Sequence, residues 1–184
     1  TGRSREMDHM VEAGQGVGQE FPRAVGWMDW FKTGQGAGRG HLNAGRWATP
    51  GEAPAHAPKA FRQFTVPDIF PRWTLNNLTG RLGYSFLNHV TARDTKGVVH
   101  PETFFTPLDK VLRWNRGYGS AGLTQYQCVI PFEAGAPAAK EILALLRKLG
   151  VGVYLAVVKD CGPEGRGMLS FPRSGLTLAL DLKV

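Results

Sequence analysis

The sequence predicts an α+β fold, and its last third carries the prediction. Residues 124–131 (TQYQCVIP) and 176–182 (LTLALDL) alternate in the way of strands, and 151–160 (VGVYLAVVKD) forms a third strand. Between the first and last of these, 137–149 reads as a helix, with Pro137 in its first turn, a stripe of Ala139, Ile142, Leu146 and Leu149, and Gly150 as its stop. Strand–helix–strand–strand in about sixty residues is the order of a ferredoxin-like plait.

The earlier elements are more punctuated. Eleven of the 24 glycines fall before residue 52, in two clusters around Gly14–Gly18 and Gly34–Gly40. Neither has the small residue that a dinucleotide loop needs at its third glycine position, since Gln19 and Arg39 stand there, so both are expected to be turns. Ala24 to Trp30 reads as a strand, and Gly38 to Trp47 as its hairpin partner, which would bring Asp29 close to Arg39 or Arg46. Residues 49–60 (TPGEAPAHAPKA) form an exposed Pro/Ala-rich linker. After a turn at 66–71, the span from Thr74 to Ala92 has the apolar spacing of a helix at Leu75, Leu78, Leu82, Phe86 and Val90, interrupted by Gly80 and Gly83.

Composition narrows the function classes. With 184 residues, 42% hydrophobic and 20% charged, the chain is expected to fold as one domain, and no apolar run is long enough to span a bilayer. The net charge of +7 is spread along the chain without a basic tail, which fits an anionic ligand or an ordinary basic surface better than a nucleic-acid arm. Cys128 and Cys161 lie in apolar segments without metal or redox spacing and are expected to be reduced, although spacing alone leaves a disulfide between them open. The five histidines are scattered, no metal-ligand cluster is visible, and no nucleophile has a partner base. No catalytic residue is assigned.

Alternation assigns the strand faces. The leucines at 176, 178, 180 and 182 share one side, which the helix is expected to cover. The other side should carry Gln125, Gln127, Thr177, Ala179, Asp181 and Lys159, with Val153, Leu155, Val157, Lys159 and Cys161 grouped on one face of their strand. Glutamines offer both donor and acceptor, which suits ligand hydroxyls.

Five segments, in order, resemble one family: AVGWMDWF (24–31), GRGHLNAGRWA (38–48), FTVPDIFP (64–71), FFTPLDKVLRWNRGYGSAGLTQYQCVIPFEA (104–134) and MLSFPRSGLTLALD (168–181). Together they resemble the substrate-binding, or cap, domain of FAD-linked oxidoreductases of the vanillyl-alcohol-oxidase superfamily. The resemblance implies an antiparallel sheet with flanking helices that roofs a flavin and lines the substrate pocket with one face. Gln125, Gln127 and Lys159 match polar pocket positions, Arg116 matches the arginine of the WNR motif, and Trp27, Leu108 and Val157 match pocket-wall positions. Phe105, Thr177 and Ala179 stand where a member of that family has a tyrosine, an asparagine and a cysteine, so the substrate is expected to differ in detail.

FAD is implied as cofactor, bound mainly by a separate domain that these 184 residues do not supply. That domain and a small sugar or alcohol substrate are the expected partners. The chain, opening at Thr1 rather than at methionine, is then expected to be an incomplete cap domain over 1–184, inactive alone, from a bacterial enzyme of the cytoplasm or cell envelope. A stand-alone ligand- or RNA-binding module and an inactive remnant are the alternatives.

Overall fold

The computed structural model describes residues 2–4, 21–34, 37–90 and 95–183. The fold is α+β, an antiparallel sheet with a few helices, as the sequence predicts. The strands are β1 (Gly2–Ser4), β2 (Arg23–Met28), β3 (Gly40–Gly45), β6 (Leu123–Ile130), β7 (Val153–Cys161) and β8 (Gly175–Lys183). They pair in the order β1-β3-β2-β7-β8-β6, and every pairing in this sheet is antiparallel. A separate two-stranded parallel ladder joins β4 (Phe64–Thr65) to β5 (Val111–Leu112). The helices are α1 (Asn77–Val90), α2 (Pro101–Phe105) and α3 (Gly135–Lys148).

The last third forms as predicted. β6 and β7 are joined through α3, and β8 returns between them, so β6–α3–β7–β8 is the split β-α-β of a ferredoxin-like plait. The core lies between α3 and one sheet face. Leu176, Leu178 and Leu180 of β8, Ala156 and Val158 of β7, Ile130 of β6 and Met28 of β2 pack there against Ala136, Ala139 and Leu143. Ile142 and Leu146 pack at its border, whereas Leu149 lies beyond the last turn and is exposed. Leu143 takes the place that the sequence stripe gives to Leu149.

Arg147 secures the C-terminal end of α3. Its guanidinium donates to the carbonyls of Trp30 (2.8 Å) and Lys32 (3.1 Å) and lies over the Trp30 ring, 4.9 Å from the centroid.

Of the glycine cluster at 34–40, Gly34 and Gly38 have positive φ (66° and 79°) and the Ala37 N–H donates to the Gly34 carbonyl, as a turn from β2 to β3 requires; residues 35 and 36 lie outside the described residues. The cluster at 14–18 lies outside the described residues. Asp29 and Arg39 meet at the base of this hairpin: Arg39 donates through Nε at 2.8 Å and pairs through Nη2 at 2.7 Å, while the Asp29 N–H donates to the Arg39 carbonyl. Asp29 also accepts from the Phe31 N–H (3.0 Å).

Two expectations are corrected. The apolar stripe of α1 faces outward: Leu78, Leu82, Phe86 and Val90 are all more than half exposed. The inward side is Gly80, Tyr84 and Asn88, spaced i, i+4, i+8. Gly80 permits this, because a Cβ there would collide with the Phe31 ring. Tyr84 stacks on Phe31 at 5.8 Å and donates to the Tyr154 carbonyl, and Asn88 reaches Asp29. Asn76 starts this helix, accepting from the N–H groups of Leu78 and Thr79. The second correction is an irregularity in β7: Val153 pairs with Leu182 but Leu155 with Asp181, so Val153 turns to the core while Leu155, Val157 and Lys159 share the other face.

The linker at 49–60 is exposed and opens with a 3-10 turn at Pro50–Glu52. Arg46 and Thr49 both donate to the Glu52 carboxylate, Arg46 through two bonds of 2.6 and 2.8 Å. These bonds hold the carboxyl at about 2, below the ordinary 4.5, with the Arg46 bond the largest cause. A lowered carboxylate pKa stabilises the turn above the ordinary value, and that contribution is lost as pH falls from about 4.5 through about 2. Site-resolved NMR titration should therefore give Glu52 a midpoint near 2, and Arg46→Met should move it back towards 4.5.

Candidate functional site

Cross-strand partners in an antiparallel sheet project to the same face. The registers therefore order the side of the sheet away from α3 into rows. One row is Gln125–Asp181–Leu155. The next is Gln127–Ala179–Val157–Trp27–His41, and the third is Val129–Thr177–Lys159–Val25–Asn43. Seven of the ten residues singled out from sequence, Trp27, Gln125, Gln127, Val157, Lys159, Thr177 and Ala179, thus share one face across four strands. A one-residue register slip in any of these strands would have sent its members to the core.

The face is walled at two ends. At the Asp181 end, Lys183 of β8 donates to the carbonyls of Arg72 and Leu75. The 3-10 turn Trp114–Tyr118 closes onto the same segment: Arg116 donates to the Val66 carbonyl at 3.1 Å, with its Nε 3.8 Å from Asp68, and Gly119 abuts the Arg72 backbone. Tyr118 is buried with its hydroxyl beside the Asp181 carboxylate, and burial, reinforced by that negative charge, pushes its phenol well above the usual range. At the far end α2 lies over the edge of β3. Gly45 is on this face, paired with Arg23, and a Cβ on it would sit 2.8 Å from the Phe104 ring. Phe105 follows, between the Arg23 guanidinium (5.2 Å) and Trp47 (5.7 Å).

The three remaining sequence-selected residues therefore lie in the surround rather than on the sheet. Arg116 is engaged in the wall, Phe105 sits at the opposite end, and Leu108 is on the 3-10 turn after α2, partly exposed.

The polar groups of the face differ in freedom. Gln125 donates from Nε2 to Asp181 Oδ1 at 2.7 Å, whereas Gln127 makes no side-chain hydrogen bond among the described residues. Lys159 is exposed and flanked by Thr177 and Val25. Thr177 is buried and its hydroxyl is 2.5 Å from the Cys161 thiol. Cys128 lies on the core face opposite Leu178, and both cysteines are free thiols. Among the described residues no cluster of His, Cys, Asp or Glu could hold a metal ion.

Sequence reasoning placed Asp181 on this face but did not select it. Its spacing of two and four from Ala179 and Thr177 was the available signal, since an acid at that spacing in a buried strand needs a partner.

No family model matches the chain. It is 33% identical over 168 residues to decaprenylphosphoryl-beta-D-ribose oxidase of Mycolicibacterium smegmatis, with 86% of this chain and 35% of that protein covered. The chain thus spans about a third of the length of that relative and is a partial homologue of an oxidase.

Proposed function

We propose that the chain is the substrate-binding, cap-domain portion of an FAD-dependent oxidoreductase, and that the sheet face away from α3 orients a sugar-like or prenyl-phosphate-linked alcohol for hydride transfer to the flavin. The observation that carries the reading is the convergence of Gln125, Gln127 and Lys159 on one walled face. The partial relative supports the substrate class, since its name specifies a phosphoryl-linked ribose.

In this reading Gln127 hydrogen-bonds ring hydroxyls, Lys159 holds an anionic group and Ala179 leaves space between them. Trp27 and Val157 form an apolar floor for a ring face. Phe105 and Leu108 bound the far end, and Arg116 acts through the wall by keeping the WNR turn in place. The described glycine-rich turn at 34–40 is a hairpin rather than a strand-to-helix phosphate loop. FAD is accordingly assigned to a partner domain, and no step is derived through it.

An RNA-binding sheet would stack bases on aromatic side chains. At the described paired positions of this face the aromatic rings are Trp27 and His41, adjacent in one row, and the other members are polar or aliphatic, which favours the hydroxyl-binding reading.

The test is calorimetric titration with ribose 1-phosphate and with the neutral methyl β-D-ribofuranoside. Lys159→Ala should weaken the phosphate about tenfold, the scale of a charge-assisted contact, and leave the neutral sugar within about twofold. Gln127→Ala should weaken both. Equal binding by wild type and both variants would reject the proposal.

A further inference from the structure

We infer that Asp181 is a positioning residue that locks the Gln125 amide in one orientation, so that this end of the face accepts, and does not donate, a hydrogen bond from its ligand. The inference rests on the ligand-face reading above and deepens it.

Asp181 is 1% exposed, on β8 between β7 and the edge strand β6, in a row with Gln125 and Leu155. A carboxylate only accepts hydrogen bonds, so the 2.7 Å contact to Oδ1 must come from the amide NH2 of Gln125. The Gln125 carbonyl oxygen is thereby turned away from Asp181. Gln125 itself is exposed, on β6 at the sheet edge, so that oxygen is the polar atom it offers to a ligand. A free glutamine presents either end of its amide. Gln127, two residues on and without such a partner, keeps that choice.

The second oxygen supports a role beyond packing. Asp181 Oδ2 is buried and has no hydrogen-bond partner among the described residues. A buried carboxylate oxygen without a hydrogen bond carries a desolvation cost. Tyr118, at the wall, and Tyr84, on α1, are the titratable groups whose phenols feel its charge; Tyr118 is buried and Tyr84 half-buried, and both are pushed well above the usual phenol range, chiefly by desolvation. Lys183 is turned away to the Arg72 and Leu75 carbonyls. The carboxylate is thus held among neutral groups, with its 2.7 Å bond to Gln125 on one oxygen and the Tyr118 hydroxyl beside it.

A ligand hydroxyl at this position must then act as donor. Methylating that hydroxyl removes the proton and keeps the oxygen, so the ether should be rejected by the locked acceptor and tolerated by a glutamine free to turn.

Two measurements test this on the full chain. The first is the side-chain 15N–1H2 resonance of Gln125. The amide proton bonded to Asp181 should lie downfield of its position in a free glutamine and exchange slowly with water in the wild type, and Asp181→Asn should lose both features. An unchanged resonance in Asp181→Asn overturns the lock whether or not any sugar binds.

The second compares methyl β-D-ribofuranoside with its mono-O-methyl ethers. Wild type should bind one ether about tenfold more weakly than the parent, the scale of one hydrogen bond to an oriented partner, and Asp181→Asn should reduce the difference below about threefold. Gln125→Met, at an exposed position, removes the amide together with its bond to Asp181 and should abolish the same discrimination. Equal discrimination in all three proteins overturns the acceptor role while leaving the ligand face intact. Failure of the parent sugar and of every ether to bind would overturn the ligand-face reading instead.

Discussion

Asp29→Ala should destabilise the protein by about 3 kcal/mol, the low end of the cost of breaking a buried ion pair. The Asp29 side chain is 3% exposed and its Arg39 partner 23%, so the arginine left behind recovers some hydration. That exposure is why the low end applies. The loss reaches further than the pair: the Phe31 N–H loses its acceptor and Asn88 of α1 loses one of its contacts. The same short segment receives Arg147 of α3 on the carbonyls of Trp30 and Lys32. Asp29 therefore stands where the hairpin, α1 and α3 converge. At about 2–4 °C per kcal/mol for a chain of this size, the melting temperature should fall by roughly 6–12 °C. Asp29→Asn, which keeps an acceptor for Phe31, should lose less. A double-mutant cycle with Arg39→Met should show coupling above about 1 kcal/mol, and additivity in that cycle would remove the ion pair from the account.

This pair was legible in the sequence because a hairpin was legible: once Ala24–Trp30 and Gly38–Trp47 are strands, the turn brings Asp29 and Arg39 together. The polar face was legible for the same reason. A period of two places Gln125 and Gln127 opposite the leucines without knowledge of what covers either side. What alternation could not give was the irregularity in β7, where Val153 leaves its predicted face; no residue at 153–155 announces it. Nor could it rank the polar members. Asp181 becomes notable only once β6 is seen beside β8, because its significance is the bond to Gln125, 56 residues away. The walls were hidden for a related cause. Arg116 reads as a free cation in sequence, and only the approach of Val66 and Asp68 shows where its hydrogen bonds go.

Leu180→Ala and Leu82→Ala should part company sharply, although both residues belong to apolar stripes of similar strength. Leu180 is fully buried on β8, between Tyr126 and Ala156 in register and packed in the core that α3 covers. Truncation there removes buried methyl groups and leaves a cavity between sheet and helix, a loss of about 2–5 kcal/mol, or roughly 4–20 °C in melting temperature. Leu82 is 61% exposed on the outer side of α1, and its truncation should stay within about 0.5 kcal/mol of wild type, since alanine is also the better helix former. Periodicity alone would rank the two alike, because a moment says which side of a helix is apolar and not which side is packed. The packed side of α1 was chosen by close approach instead: Gly80 admits the Phe31 ring, and Tyr84 and Asn88 supply the hydrogen bonds that a polar contact requires. Chemical denaturation of the two variants decides between these accounts. A loss at Leu82 as large as that at Leu180 would mean that the outer stripe is covered in solution, and the assignment of Gly80, Tyr84 and Asn88 as the packed side of α1 would fall.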